Sequence, residues 1–101
     1  MDVTLYWKAG GPTASPLKVT VQLLDSANHL VAQDDTEPGG GLAPSTSWLA
    51  GEVITSAHHL DLAKTPSGTY HLIAALYDAT TGARVATAGG DTVTLTTVVV
   101  P

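Results

Sequence analysis

The stretch from Pro66 to Asp78, PSGTYHLIAALYD, decides the fold. A Pro-Ser-Gly turn opens it, and the residues that follow alternate between two faces, as in a β-strand. One face carries Tyr70, Leu72, Ala74 and Leu76, and the other carries His71, Ile73, Ala75 and Tyr77. Because both faces are largely apolar, residues 69–78 are predicted to form a central strand of a sheet.

The start of this strand carries a second signal. The spacing Pro66-x-Gly68-x-Tyr70 is similar to the tyrosine corner of immunoglobulin-like sandwiches. In that arrangement a tyrosine hydroxyl at the start of a strand bonds a backbone group a few residues upstream. We therefore predict a structural role for Tyr70.

Six further strand-like runs lie on either side of the central one, with turn signals between them. The predicted strands cover residues 3–7, 17–24, 29–34, 52–59, 84–88 and 92–100. The run over residues 17–24 has the cleanest alternation, and the polar run over residues 52–59 is expected near an edge. Asp25 and Asn28 are predicted to open and close a hairpin turn, with Asn28 in the left-handed conformation. Gly89-Gly90 is predicted to break the chain before the last strand.

One long loop, residues 36–47, contains Pro38-Gly-Gly-Gly and Pro44, which argues against a helix or a central strand there. No window has a sustained helical period with caps. We therefore predict an all-β fold, an antiparallel immunoglobulin-like or fibronectin III-like β-sandwich of about seven strands, in a single domain over residues 1–101. The expected core is Leu5, Trp7, Val19, Val21, Leu23, Leu30, Tyr70, Leu72, Leu76, Val93 and Leu95.

Charge and composition argue against several classes of function. The net charge is −5, and the four basic residues are scattered along the chain, so neither a nucleic-acid surface nor an anionic lipid surface is expected. There is no cysteine, which excludes disulfides and thiolate chemistry. No apolar run is long enough to span a bilayer, so we predict no membrane insertion of this segment.

The residues that carry metal chemistry do not form a recognisable pattern. His58 and His59 are neighbours on a predicted strand and point to opposite faces, so a metal site would require one of them to meet His71 and a carboxylate. The acidic residues 34, 35 and 37 do not match a calcium loop, and we expect a solvated turn at the end of a strand. We predict no metal site and no cofactor.

No enzyme signature is present either. The chain has no Gly-x-Ser-x-Gly elbow, and the glycine-rich segment 39–41 is not followed by a helix or a lysine. A sandwich of this length also leaves little room for the concave site that a pair of catalytic carboxylates requires. We therefore predict that the chain is not an enzyme.

Aromatic side chains leave one alternative open. Trp7 lies on the apolar face of the first strand and is expected in the core. Trp48 follows the long loop, where it either plugs the open end of the sandwich or offers a flat surface on which a sugar ring stacks. In the second case Trp48, together with Tyr6 or Tyr77, would bind carbohydrate.

A succession of motifs covers nearly the whole chain: LYW at 5–7, VQLLD at 21–25, LVAQD at 30–34, PGGG at 38–41, WxxGEV at 48–53, PxGTY at 66–70 and LYDxxTGxR at 76–84. This set resembles the C-terminal β-sandwich domain of large bacterial membrane proteins. Some of those proteins are family 39-type glycosyltransferases or dolichyl-phosphate-mannose-protein mannosyltransferase-like proteins. One departure is Asn28, where the resemblance leads us to expect glycine.

The resemblance implies an extracytoplasmic accessory domain taken from a larger membrane protein, whose remaining part would be its partner. Transferase chemistry would belong to the membrane-embedded part, so no catalytic residue is carried onto this chain. The expected function is a non-catalytic spacer or protein-interaction module, and the alternative is a carbohydrate-binding module.

Overall fold

The computed structural model of the chain describes residues 1–88 and 90–101. Its seven strands, in chain order, are β1 Asp2–Lys8, β2 Leu17–Leu24, β3 Leu30–Thr36, β4 Val53–His59, β5 Gly68–Asp78, β6 Arg84–Val85 and β7 Val93–Val100. β1 and β4 form a two-stranded sheet, and the other five strands form a second sheet in the order β3-β2-β5, with β6 and β7 on the far side of β5. All pairs are antiparallel, which confirms the predicted β-sandwich.

Strand positions follow the sequence pattern closely. β2 has the predicted bounds, and β4 pairs only with β1 among the described residues, as the polar run over residues 52–59 predicts. β6 is shorter than predicted, since only residues 84 and 85 pair with β5. The predicted break at Gly89-Gly90 lies in part outside the described residues.

β5 is the central strand of its sheet, because it pairs with β2 on one side and with β6 and β7 on the other. Its residues 72–76 are buried on both faces. At its start the hydroxyl of Tyr70 donates a hydrogen bond to the carbonyl oxygen of Pro66 at 2.7 Å. This geometry confirms the tyrosine corner and the structural role of Tyr70.

The turn between β2 and β3 also forms as predicted. One carboxylate oxygen of Asp25 accepts the backbone N–H groups of Ala27 at 2.9 Å and His29 at 2.8 Å. Asn28 is left-handed, with φ 63°. The bond from the His29 N–H is the main reason that the pKa of Asp25 lies below its ordinary value.

The long loop differs from the prediction, because it contains two short 3-10 turns, Pro38–Gly41 and Ser45–Ser47. The first is irregular, since Gly39 and Gly40 have positive φ values inside it. Glycine permits these conformations, which is why a glycine-rich segment folds into a compact turn without forming an α-helix.

The core between the sheets has two parts. The upper cluster contains Ala9, Leu17, Val19, Trp48, Ile54 and Leu76. The lower cluster contains Val21, Leu23, Leu60, Tyr70, Leu72 and Ala74, with Met1 and Val100 packed against it. Leu30, which was predicted in the core, is 49% exposed, because β3 is an edge strand and Leu30 lies beside an irregularity in its pairing with β2.

No helix in the described part of the chain is long and apolar enough to cross a membrane.

Candidate functional site

Trp48 lies in the core. Its side chain belongs to the upper cluster and only 5% of the residue is exposed, while its indole N–H donates to the carbonyl oxygen of Ala43 at 2.8 Å. The structure therefore supports the interpretation in which Trp48 plugs the end of the sandwich and holds the long loop. As folded, Trp48 has no open face for a sugar ring.

Tyr6 and Tyr77 are not brought together with Trp48 or with each other. Tyr6 points away from the core on the outer face of the two-stranded sheet and is 71% exposed. Tyr77 alternates with buried Leu76 and so lies on the outer face of the other sheet. The three residues predicted to bind carbohydrate therefore occupy three separate environments.

The histidines do not gather into a metal site. His58 is buried, His59 is exposed and contacts Asp2, and His71 lies on the exposed face of the other sheet. Within residues 1–88 and 90–101 no group of three or more metal-ligating side chains is close enough to hold an ion.

A chain of hydrogen bonds that the sequence did not predict crosses the interior between the sheets. The hydroxyl of Ser56 lies 2.9 Å from Nε2 of His58, and Nδ1 of His58 lies 3.1 Å from Oδ2 of Asp34. The indole N–H of Trp7 donates to the same Ser56 oxygen at 3.3 Å. Every side-chain polar group in this network of hydrogen bonds has a partner when the His58 proton is on Nδ1, where it is donated to Asp34.

This order of groups, Ser-His-Asp, is that of a hydrolase triad, but its surroundings differ from those of an active site. Ser56 is 1% exposed and His58 is 3% exposed. A catalytic serine must reach a substrate carbonyl and needs hydrogen-bond donors placed for the developing oxyanion. Here the Ser56 hydroxyl points into the core and already accepts a hydrogen bond from Trp7. The network of hydrogen bonds therefore links the strands.

Asp34 is the residue that makes this link possible, and the sequence prediction for it was wrong. Residues 34 and 35 do not form a solvated turn, because β3 continues to Thr36. The Asp34 carboxylate bonds His58 and also accepts the backbone N–H of His59 at 3.4 Å. It therefore ties β3 of one sheet to β4 of the other along one side of the sandwich, which we call the closed seam.

Asp35, the next residue, organises the outer face of the five-stranded sheet. Its carboxylate accepts the hydroxyls of Thr20 at 2.6 Å and Tyr77 at 2.9 Å. Desolvation, followed by the bond to Asp35, raises the pKa of Tyr77 above its ordinary value. An open cleft of about 280 Å³ lies here, lined by Thr20, Gln22, Asp35, Tyr77, Gly82 and Arg84.

We call the opposite side of the sandwich the open seam. There β1 of the small sheet and β6 and β7 of the large sheet are edge strands among the described residues. A cleft of about 400 Å³ separates the end of β1 from β6. Its apolar lining includes Trp7, Ala9, Leu17, Trp48, Leu76 and Val85.

Together these features define the class of protein: a small antiparallel β-sandwich with a tyrosine corner, one closed seam and one open seam. Comparison with known proteins gives no match to a family model, to a curated protein or to a solved structure.

Proposed function

We propose that this chain is a non-catalytic accessory domain of a membrane-bound, glycosyltransferase-like protein and that it acts through protein interaction on the extracytoplasmic side. The observation that carries the proposal is the contrast between the two seams. Ser56 and His58 are buried in the closed seam, whereas the open seam offers, within the described part of the chain, the strand edges of β1 and of β6 and β7, with an apolar cleft between them. Unpaired strand edges are surfaces to which other polypeptides bind.

The position of the chain ends favours an interaction module over an in-line spacer. Met1 and Val100 both pack against the lower cluster, so both ends of the described chain lie at one end of the sandwich. In a longer protein, segments attached at both ends would leave from that same end. The upper end would then face away from the attachment point, and the open seam would run along the side of the sandwich from one end to the other.

Fractionation of cells that produce the protein tests the accessory role. Antibodies raised against residues 1–101 are expected to detect a membrane-bound species much larger than the 10.3 kDa of this chain. Protease added to intact cells should remove the epitope if the domain lies outside the cytoplasm. A soluble 10.3 kDa species protected inside the cell would contradict the proposal.

A fluorophosphonate probe, which labels activated serines of hydrolases, tests the non-catalytic part. The folded domain should remain unlabelled, because Ser56 is out of reach of the reagent. Labelling of the wild-type chain that disappears in Ser56→Ala would show a reactive serine and contradict the proposal.

Carbohydrate binding is kept as a second candidate because of the outer-face cleft around Tyr77. An aromatic ring, a carboxylate, an amide and a guanidinium lie together there, and polar groups of these kinds fix the orientation of small ligands. The cleft is a different place from Trp48.

An amide-resolved NMR titration with a panel of oligosaccharides tests this candidate. Saturable shifts around Tyr77 that are lost in Tyr77→Ala, and kept in the control Tyr6→Ala, would support it. An absence of shifts at millimolar sugar would contradict it for the sugars used.

A further inference from the structure

The free edge of β1 has a regular set of unpaired backbone groups. Met1 and Leu60 exchange both of their backbone hydrogen bonds, each at 2.8 Å. In an antiparallel pair such bonded positions alternate with positions whose N–H and C=O groups point to the other side. Odd-numbered residues of β1 therefore bond β4, and the groups that face the open seam belong to Asp2, Thr4, Tyr6 and Lys8.

The other edges of the sandwich differ from this one. The outer edge of β4 is covered at His59, whose N–H donates to Asp34. Within residues 1–88 and 90–101 no strand pairs with β1 on the side away from β4, so the described chain leaves this edge open for an added strand.

The sequence of β1 is complementary to itself in one antiparallel register. A register centred on Leu5 sets Thr4 opposite Tyr6 of a second chain and Asp2 opposite its Lys8. All four edge-facing residues of each strand then form bonded pairs, whereas a shift of two residues leaves some of them without a partner. Asp2 and Lys8 are exposed on the same outer face. The pairing therefore forms two opposite-charge pairs, each between Asp2 of one copy and Lys8 of the other.

The Asp2 side chain is already placed for a second contact. Its Oδ1 lies 2.6 Å from Nδ1 of His59, and the Asp2 side chain is 88% exposed. The hydrogen bond to His59 is the main cause that holds the pKa of Asp2 below its ordinary value. The carboxylate is thus charged at neutral pH and available to an ammonium group from a second chain.

The neighbouring edge, β7, does not oppose this arrangement. Its residues 93–100, VTLTTVVV, contain no charged residue and no proline, the two devices that commonly keep strand edges apart.

We propose that the domain forms a symmetric dimer through antiparallel pairing of two β1 strands, in the register that sets Asp2 opposite Lys8 of the second copy. The inference deepens the proposed function, since it names a second copy of this chain as the partner at the open seam. Its test uses the isolated domain, so it can fail while the membrane association of the longer protein stands, and the reverse also holds.

Sedimentation equilibrium of the purified domain between about 10 μM and 1 mM tests the proposal. The wild-type mass should rise with concentration from 10.3 kDa towards twice that value. Asp2→Lys or Lys8→Asp alone should weaken the dimer by about tenfold, since each places like charges opposite each other twice. The double variant Asp2→Lys/Lys8→Asp should return the affinity to within about threefold of the wild type.

Two further variants distinguish backbone pairing between two β1 strands from an effect of net charge on association. Thr4→Pro removes an N–H that faces the open seam and leaves the bonds between β1 and β4 in place, so it should abolish the dimer. Lys64→Asp makes the same charge change in a loop outside β1 and should leave the dimer unchanged. Far-UV circular dichroism checks that each variant is folded.

The proposal is overturned by a wild-type domain that stays monomeric at 1 mM, as it would if only a different polypeptide binds this edge. It is also overturned by a dimer that Thr4→Pro leaves intact. If the double charge variant fails to restore a dimer that the single variants weaken, the register centred on Leu5 is wrong.

Discussion

At the scale of single residues, buried hydroxyl groups hold the long loop to the sandwich. The Ser45 hydroxyl accepts the backbone N–H of Leu17 at 2.8 Å and the hydroxyl of Thr13 at 2.7 Å. Ser45 is fully buried, so the start of β2 depends on this one side chain for its first hydrogen bond. An unpaired buried donor costs roughly 1–3 kcal/mol.

Ser45→Ala should therefore lower the free energy of unfolding by about 1–3 kcal/mol, because the N–H of Leu17 loses its partner and water cannot replace it. Urea unfolding of the variant measures this. Ser47→Ala, in the same 3-10 turn but exposed, is the matched control and should change stability by less than about 0.5 kcal/mol. Equal effects of the two substitutions would contradict the described burial.

The raised pKa of Tyr77 predicts how the stability of the folded protein depends on pH. Because its pKa is raised, the folded protein holds the phenolic proton more tightly than the unfolded chain does. The stability that this provides is fully present below the ordinary pKa of 10.0 and is lost as the pH rises through the raised value.

Spectrophotometric titration at 295 nm, taken as the difference between wild type and Tyr77→Phe, should give a midpoint above 10.0. Asp35→Asn should move that midpoint part of the way down, since desolvation, the larger cause, remains. A midpoint at or below 10.0 in the wild type would contradict both the desolvation of Tyr77 and its bond to Asp35.

At the scale of elements, β5 and the turn before it are the most firmly specified part of the chain. The Tyr70 hydroxyl fixes the entry of β5 through its bond to Pro66. Tyr70→Phe keeps the ring in the lower cluster and removes only this bond, so it should destabilise the domain by about 1 kcal/mol.

Thermal or urea unfolding of Tyr70→Phe measures that loss, and Tyr6→Phe, which removes an exposed hydroxyl, is the control. No difference between the two variants would mean that the tyrosine corner contributes nothing to stability.

Some elements were predictable because their information is local. The alternation in residues 17–24 fixes β2, and a residue that tolerates positive φ at position 28 closes its hairpin. The edge position of β3 was not predictable in this way, since an alternating apolar pattern does not say which strand lies outermost. This is why Leu30 was assigned to the core although it is exposed.

The closed seam was missed for a related reason. Asp34 and His58 are 24 residues apart and lie in different sheets, so their contact depends on how the two sheets are stacked. No periodicity within either strand carries that information. The one available signal was that Ser56 and His58, two residues apart on one strand, must share a face.

At the scale of the whole molecule, the closed seam makes the two sheets one cooperative unit. The bond joins His58, which is buried, to Asp34, which is 28% exposed, and removing either partner loses the same bond, so the effects of the two removals are not additive. Asp34→Ala and His58→Ala should each destabilise the domain, and the double variant should be less destabilised than the sum by about 0.5–3 kcal/mol.

The double-mutant cycle is measured by urea unfolding of the four proteins. A parallel cycle that combines Asp34→Ala with His59→Ala is the control. Asp34 accepts the backbone N–H of His59, and that group is still present in His59→Ala. Additive losses in the His58 cycle would mean that the two sheets are not coupled through this bond.

The central claim is that the chain has one side locked by a buried network and one side whose β1 edge is free to bind a strand. Amide hydrogen exchange, resolved by NMR at about 50 μM and about 1 mM protein, tests it most directly. We predict that the amides bonded to β4 (Val3, Leu5 and Trp7) are protected at both concentrations, and that the edge-facing amides (Thr4, Tyr6 and Lys8) exchange quickly in dilute solution and become protected at high concentration. Edge-facing amides that are already protected at 50 μM in a monomer, or that stay unprotected at 1 mM, would contradict the account.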